Sequence, residues 1–418
     1  MIQQSTKKTL MLSSAGGLLE FYDFIIYALL ATYLSHLFFP ATSAINSLLA
    51  TFGAYAVGYF ARPFGGIIFG HFGDKYGRKK TFTMSIFIMA LSTFIIGLLP
   101  THSSVGSLAP VLLILCRIGQ GISVGGEIPG AITYISEIAP DKKGVMTGTI
   151  FCFLISGVAL GFIIEALLLL VFSHQQMLTW GWRVPFLLGG IFGFIAYYLR
   201  RQLADIKNFQ PFIEGAFSLP LTRLLRTQLW PVIYTSVLVS FGALAFVTTF
   251  LLLPAYLTNI LKLKFSYFAW MNSLGVLILS VLCIVIGKLS DMTNRTFILV
   301  LNCVLAGLLS FVIYIIYINY PQLYFLGVLI SAVVVAFSWG NIPAILTESF
   351  EQQTRYSGIG LAYNIGFAVF GGLTPVIVLT TIKLSDDFLA PAYVLSIAST
   401  IMLIFIIINQ FIKHTTIE

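Results

Sequence analysis

The chain has 418 residues, a formal net charge of +8, 58% hydrophobic side chains and only 9% charged ones. Soluble domains carry about 25% charged residues, so the composition excludes a soluble enzyme and implies an integral membrane protein. The positive balance is accounted for by loop charges, and no nucleic-acid partner is expected.

Apolar runs of spanning length follow one another along the chain, roughly at 10–38, 45–70, 81–99, 108–138, 145–172, 182–200, 228–257, 266–287, 296–318, 322–347, 356–381 and 388–412. They predict an all-α integral membrane protein of twelve transmembrane helices. With the N-terminus inside, seventeen of the 23 Lys and Arg fall on inner loops and tails. Three fall outside, Lys262, Lys264 and Lys383. The positive-inside rule then puts both termini in the cytoplasm, at the inner membrane if the source is bacterial.

"GHFGDKYGRK" (70–79) matches "GKLSDMTNRT" (287–296) at an offset of 217, and "GEIP" (126–129) matches "GNIP" (340–343) at 214. Near-constant offsets predict two six-helix halves around a central cavity. The expected organisation is an N-terminal bundle over 1–200, a cytoplasmic linker over 201–227 and a C-terminal bundle over 228–418. The linker, "RRQLADIKNFQPFIEGAFSLPLTRLLRT", is the most polar interior stretch.

The loop "GHFGDKYGRKK" resembles the signature loop of the major facilitator superfamily. "GGLLEFYDFIIY", "RPFGG", "RIGQGISVGGE", "GWRVPFLLG" and "RYSGIGLAYNIGFAVFGGLTP" resemble its metabolite:proton symporter branch, which includes proline/betaine, α-ketoglutarate, shikimate and citrate carriers. Phe21 stands where the branch has Trp, and Asn294 replaces a Gly of the second signature loop. The sequence runs to "KHTTIE", and neither the long C-terminal coiled-coil extension of the osmosensing carriers nor osmotic activation is expected. In the superfamily, the resemblance implies, the contact made by this loop, with Asp74, Arg78 and Lys79, latches the outward-open state of the carrier. Asp291 and Arg295 occupy the matching positions of the repeat.

Glu20 and Asp23 lie on one face of the first span at i, i+3 spacing. Arg117 lies at similar depth in the fourth span, by the helical rise. Charge at bilayer depth is costly and marks a functional site. Asp23 or Glu20 is therefore expected to carry a proton, with Arg117 paired to a carboxylate until a substrate carboxylate displaces it. Tyr27, Gln120, Trp339, Asn341 and Asn364 are the other candidate substrate contacts. Arg62, before Pro63, and Glu127, turned about 80° from the Arg117 face, are expected at gates rather than at the substrate. Glu165, near the end of the fifth span, reads as a side chain snorkelling to the interface.

The predicted function is proton-coupled import of a small carboxylate-bearing metabolite by alternating access. The rival within the same fold is an exporter exchanging drugs or metabolites for protons, but the fifth span, "GTIFCFLISGVALGF", lacks the Pro of exporter motifs. A membrane enzyme is the remaining alternative, and no nucleophile motif, metal spacing or phosphate-binding loop supports it. The four Cys and five His are scattered, so neither metal nor cofactor is expected. A small solute, a proton and the lipid bilayer are the expected partners of a monomer.

Overall fold

A computed structural model describes residues 17–19, 21–76, 78–138, 140–201, 220–264, 268–351 and 354–415. Its main elements are the helices α1 (Gly17–Leu29), α2 (Ala31–Phe38), α3 (Ala44–Tyr76), α4 (Arg78–Leu98), α5 (Leu108–Val124), α6 (Glu127–Ile138), α7 (Lys143–Val171) and α8 (Arg183–Arg201). They continue as α9 (Leu229–Phe246), α10 (Ala269–Met292), α11 (Arg295–Asn319), α12 (Tyr324–Ser349), α13 (Arg355–Gly366), α14 (Gly372–Ser385) and α15 (Ala390–Thr415). Among the described residues, nine helices are long and apolar enough to cross a membrane, or eleven if each of two bent pairs is one span. The α1–α2 pair bends by 60° and the pair His174–Gly181 with α8 by 45°. Met84–Leu98 of α4 is a shorter apolar helix.

Without a hydrophobic driving force in lipid, helices associate through close backbone contact and interhelical hydrogen bonds. Glycines supply that contact at two crossings. A Cβ at Gly121 or Gly125 of α5 would collide with the carbonyl oxygens of Gly58 and Arg62 in α3. A Cβ at Gly144 of α7 would strike the Gly287 carbonyl of α10, and one at Gly148 the Cys283 carbonyl. The second pair runs antiparallel, because the α7 numbers rise while the α10 numbers fall. The α7–α10 pairing is the most extensive helix contact in the molecule.

Several spans are not continuous α-helix. α5 and α6 are separated by a turn at Gly125 and Gly126, and π-helical segments occur at Val247–Leu251, Tyr256–Ile260 and Phe367–Gly371. Such breaks release backbone carbonyls from the helical ladder. At the α5–α6 break, side chains from α13 take them up. Asn364 Nδ2 donates to the Gly125 carbonyl at 2.7 Å, and the Tyr356 hydroxyl to that of Gly126 at 3.1 Å.

Candidate functional site

Arg117 of α5 is wholly buried. Its Nη1 donates to the Phe24 carbonyl at 3.3 Å and to Gln120 Oε1 at 2.8 Å. The guanidinium carbon lies 4.3 Å from the Phe24 ring centre, 4.5 Å from that of Tyr27 and 5.0 Å from that of Tyr55. Gln120 in turn donates to Thr93 Oγ1 at 2.8 Å. Tyr27 is tied back to the Thr51 carbonyl at 3.0 Å. Arg117 Nε and Nη2 have no hydrogen-bond partner.

Asp23 is the neighbour of Phe24 in sequence but faces elsewhere. Its carboxylate lies where a Cβ on Gly189 or Gly193 of α8 would meet it, so the missing side chains of α8 make its room. It lines a small pocket with Leu19, Ile86, Met89, Ser123 and Ala196. Asp23 is 2% exposed and its Oδ1 has no partner. Of the two carboxylates expected near Arg117, that of Asp23 forms no ion pair with it. The two residues occupy different sides of α1, and Gln120 is the side chain between them.

A second guanidinium takes the central position. Arg62 of α3 is 2% exposed and lines a cavity enclosed by α1, α3, α5, α7, α9, α12 and the Phe367–Gly371 segment. Its guanidinium carbon is 4.2 Å from the ring centres of both Phe24 and Tyr59 and 5.2 Å from that of Phe367. Cations over aromatic faces are held by the ring quadrupole. Arg62 Nε and Nη1 have no hydrogen-bond partner. Trp339 closes the cavity, stacked on Phe151 at 4.9 Å and on Phe367 at 5.4 Å.

The candidate residues therefore divide between places. Arg62 and Trp339 line the cavity, whereas Arg117, Tyr27 and Gln120 stand behind the Phe24 ring. Asn364 braces the α5–α6 break, and Asn341 donates to the Arg295 carbonyl at 2.9 Å, away from the cavity. Glu20 lies outside the described residues, as do the side chains of Asp74, Arg78 and Glu127. The Phe24, Tyr59 and Phe367 rings, which hold Arg62, escaped sequence reasoning. Phe24, beside Asp23 in the quoted first-span motif, was the available signal.

Asp291 and Arg295 form a compact cluster at the Gly144 end of α7. Asp291 Oδ1 accepts from the Gly144 backbone N–H at 2.7 Å, and Oδ2 from that of Val145 at 2.9 Å. A carboxylate there satisfies free N–H groups and the positive end of the helix dipole. Arg295 Nη2 holds the same Asp291 at 2.8 Å, and its Nε donates to Glu348 at 3.1 Å. Lys143 Nζ is 3.9 Å from Glu348.

The opposite end is also bridged between early and late helices. Asn259 Nδ2 donates to Thr32 Oγ1 at 2.9 Å, and Lys383 Nζ to Asn46 Oδ1 at 2.8 Å. The cavity thus lies between two sets of cross-links. Glu165 does not snorkel: it is 3% exposed, on a helix packed against α10 and α12.

Comparison with known proteins agrees with this architecture. The model of the Major Facilitator Superfamily matches residues 12–375. A putative proline/betaine transporter of Staphylococcus aureus (strain COL) is 33% identical over 413 residues, covering 95% of this chain and 87% of the relative. The proline/betaine transporter of Escherichia coli (strain K12) is 32% identical over 418 residues, covering 95% and 82%. Among solved structures, the D-xylose-proton symporter superposes with a TM-score of 0.74 at 16% identity, covering 94% of this chain and 96% of its own. The human organic anion transporter MFSD10 superposes with a TM-score of 0.66 at 13% identity, covering 96% and 99%.

Proposed function

The chain belongs to the major facilitator superfamily and is a membrane transporter rather than an enzyme, and on that premise we propose that it is a proton-coupled importer of a small carboxylate-bearing metabolite. The observation that carries the reading is Arg62. A buried guanidinium with two free N–H-bearing nitrogens lines a cavity otherwise walled by aromatic and aliphatic side chains. Guanidinium recognises a carboxylate by two parallel hydrogen bonds. The surrounding rings suit the alkylammonium end of the same molecule. Relatives named for proline and betaine, both zwitterions of this kind, support that class. Arg62 thereby replaces Arg117 as the preferred anion-binding group, and Arg117 becomes the group that sets the Phe24 ring.

Asp23 is the preferred proton carrier. It is buried beside α8, shielded from the cavity by the α1 backbone, and its free oxygen has room for a proton. Protonation removes a buried charge, and substrate binding at Arg62 removes another. The doubly loaded carrier is the one with least uncompensated charge, so proton and substrate favour each other, and the coupling is reciprocal.

Alternating access follows from the two sets of cross-links. In this reading the structure is closed at both ends around a cavity of about 20 Å³ that must widen to admit a substrate, with the Asp291–Gly144 contacts closing the inner end and the Thr32–Asn259 and Asn46–Lys383 bonds closing the outer one. Adding α4 to the eleven longer spans gives twelve, arranged as halves over 1–200 and 228–418 joined by a cytoplasmic linker, with both termini inside.

The test is uptake of labelled proline, glycine betaine, α-ketoglutarate and shikimate into proteoliposomes, with and without an inward proton gradient. Accumulation above equilibrium that collapses with a protonophore is the expected result. Accumulation driven by an outward gradient instead would identify an exporter, and gradient-independent equilibration would exclude coupling.

A further inference from the structure

Glu165 of α7 stands outside the central cavity. Its Oε2 has no hydrogen-bond partner, and no Lys, Arg or His comes within 4.0 Å of it among the described residues. The register of α7 on α10, Gly144 against Gly287 and Gly148 against Cys283, carries Glu165 about one turn beyond the first residue of α10. At that level the Phe268 ring lies 4.4 Å from that of Tyr324. Tyr324 is 2% exposed and its hydroxyl has no partner. Asn272, on the first turn of α10, is wholly buried with neither amide atom bonded. Glu165 and Tyr324 thus bring two unsatisfied polar groups to one region of the interface between α7 and α12.

The groups that face the carboxyl are neutral. Glu165 lies within electrostatic reach of Tyr33 on α2 and Tyr324 on α12. Behind them stand His174, whose ring is 5.6 Å from that of Tyr33, and Tyr317, whose ring is 5.1 Å from that of Tyr324. The charged residues of α10 and α12 that carry the other seal, Asp291 and Glu348, are at the far ends of those helices. Thr32, beside Tyr33, makes the bond to Asn259 that joins early and late helices at this same end.

We infer that Glu165 is a second proton-binding group, distinct from Asp23, and that its protonation closes the end of the carrier marked by the Thr32–Asn259 and Asn46–Lys383 bonds. An ionised carboxylate sealed in without a cation or a donor is strongly disfavoured. A protonated carboxyl sits among tyrosine and asparagine side chains as one more neutral hydrogen-bonding group. Opening this end admits water, which solvates the ionised form. Closing therefore takes up one proton from the aqueous side, and the closed population falls as pH rises. Linkage limits the change to about tenfold in the closed-to-open ratio per pH unit. The inference rests on the alternating-access reading, but it assigns this residue a step that neither Arg62 nor Asp23 performs.

The experiment is a spin-label distance measurement on the full chain in detergent, without substrate or gradient. Labels go on Ala44→Cys and Leu384→Cys, two exposed positions that flank the Asn46–Lys383 bond. Cys116 and Cys152 are replaced by Ala, while the buried Cys283 and Cys303 remain. In this parent the short distance is expected to give way to a longer one as pH is raised from about 5 to about 9, the range in which buried carboxyls titrate. E165Q, permanently neutral, is expected to keep the short distance throughout. A parent whose distances ignore pH overturns the inference, and so does an E165Q protein that responds as the parent does. If E165Q is not monodisperse, Glu165→Leu replaces it: this neutral side chain is likewise expected to keep the short distance at every pH, and a response like the parent's overturns the inference. Failure of proton-coupled uptake shows in the liposome assay alone, so the two readings fail separately.

Discussion

Asp23 and Arg117 are both buried at the centre of the molecule and yet form no ion pair. Arg117 donates to the carbonyl of Phe24, the residue after Asp23, while the Asp23 carboxylate points away toward Gly189 and Gly193. Consecutive residues of one helix are about 100° apart, which suffices to put the carboxylate and the guanidinium on different sides of α1. In the proposed mechanism the proton falls to Asp23 and the substrate carboxylate to Arg62, so the two tasks belong to different side chains.

That separation makes D23N informative. The variant is expected to lose uptake above equilibrium and to keep substrate exchange, because the Arg62 cavity is untouched. Counterflow and gradient-driven uptake measured on the same proteoliposomes check it. Loss of exchange as well would mean that Asp23 acts in binding.

Arg62→Lys keeps the charge but not the planar fork or the stack between Phe24 and Tyr59. Such sites do not treat the two residues alike. Substrate affinity is expected to fall by roughly ten- to a hundredfold, about 1–3 kcal/mol, the range of one charge-assisted hydrogen bond. Equilibrium binding of labelled substrate checks it. R117K, by contrast, is expected to weaken binding less, since Arg117 lies behind the Phe24 ring.

Asp291→Asn removes the charge from the group that caps Gly144 and Val145 and holds Arg295. A partly exposed charge-assisted contact of this kind is worth about 1 kcal/mol or slightly more. The open population at that end is expected to rise by roughly five- to tenfold. Cysteine-labelling rates at positions along the early residues of α7 report it, and unchanged rates would remove Asp291 from the gate.

Two glycine substitutions should diverge. Gly53→Ala meets nothing within 4 Å, whereas a Cβ at Gly121 collides with the Gly58 carbonyl. G53A is expected to be neutral or stabilising by up to about 1 kcal/mol, the usual helical preference for Ala. G121A is expected to cost several times that, because α3 and α5 must move apart and take Arg62 and Arg117 with them. Thermal unfolding in detergent compares the two.

Much of this protein was legible in the order of its residues. The lengths of the apolar runs, the skew of Lys and Arg and the loop "GHFGDKYGRKK" point to a helical membrane carrier, because bilayer thickness and the cost of unpaired backbone groups leave few alternatives. Asp23 stands out for the same reason: an acid within an apolar span is expensive wherever it ends up. Tertiary structure alone decided which buried charge meets which neighbour. Arg62 reads as an edge residue before a proline until α1, α3 and the Phe367 segment surround it with rings. Asn341 reads as a wall residue until α11 presents a carbonyl to it. Glu165 reads as snorkelling until α10 and α12 pack against its helix. Linear sequence determines what a side chain costs to bury, whereas the helix crossings, set here by bare glycine backbones in contact, determine whether and against what it is buried.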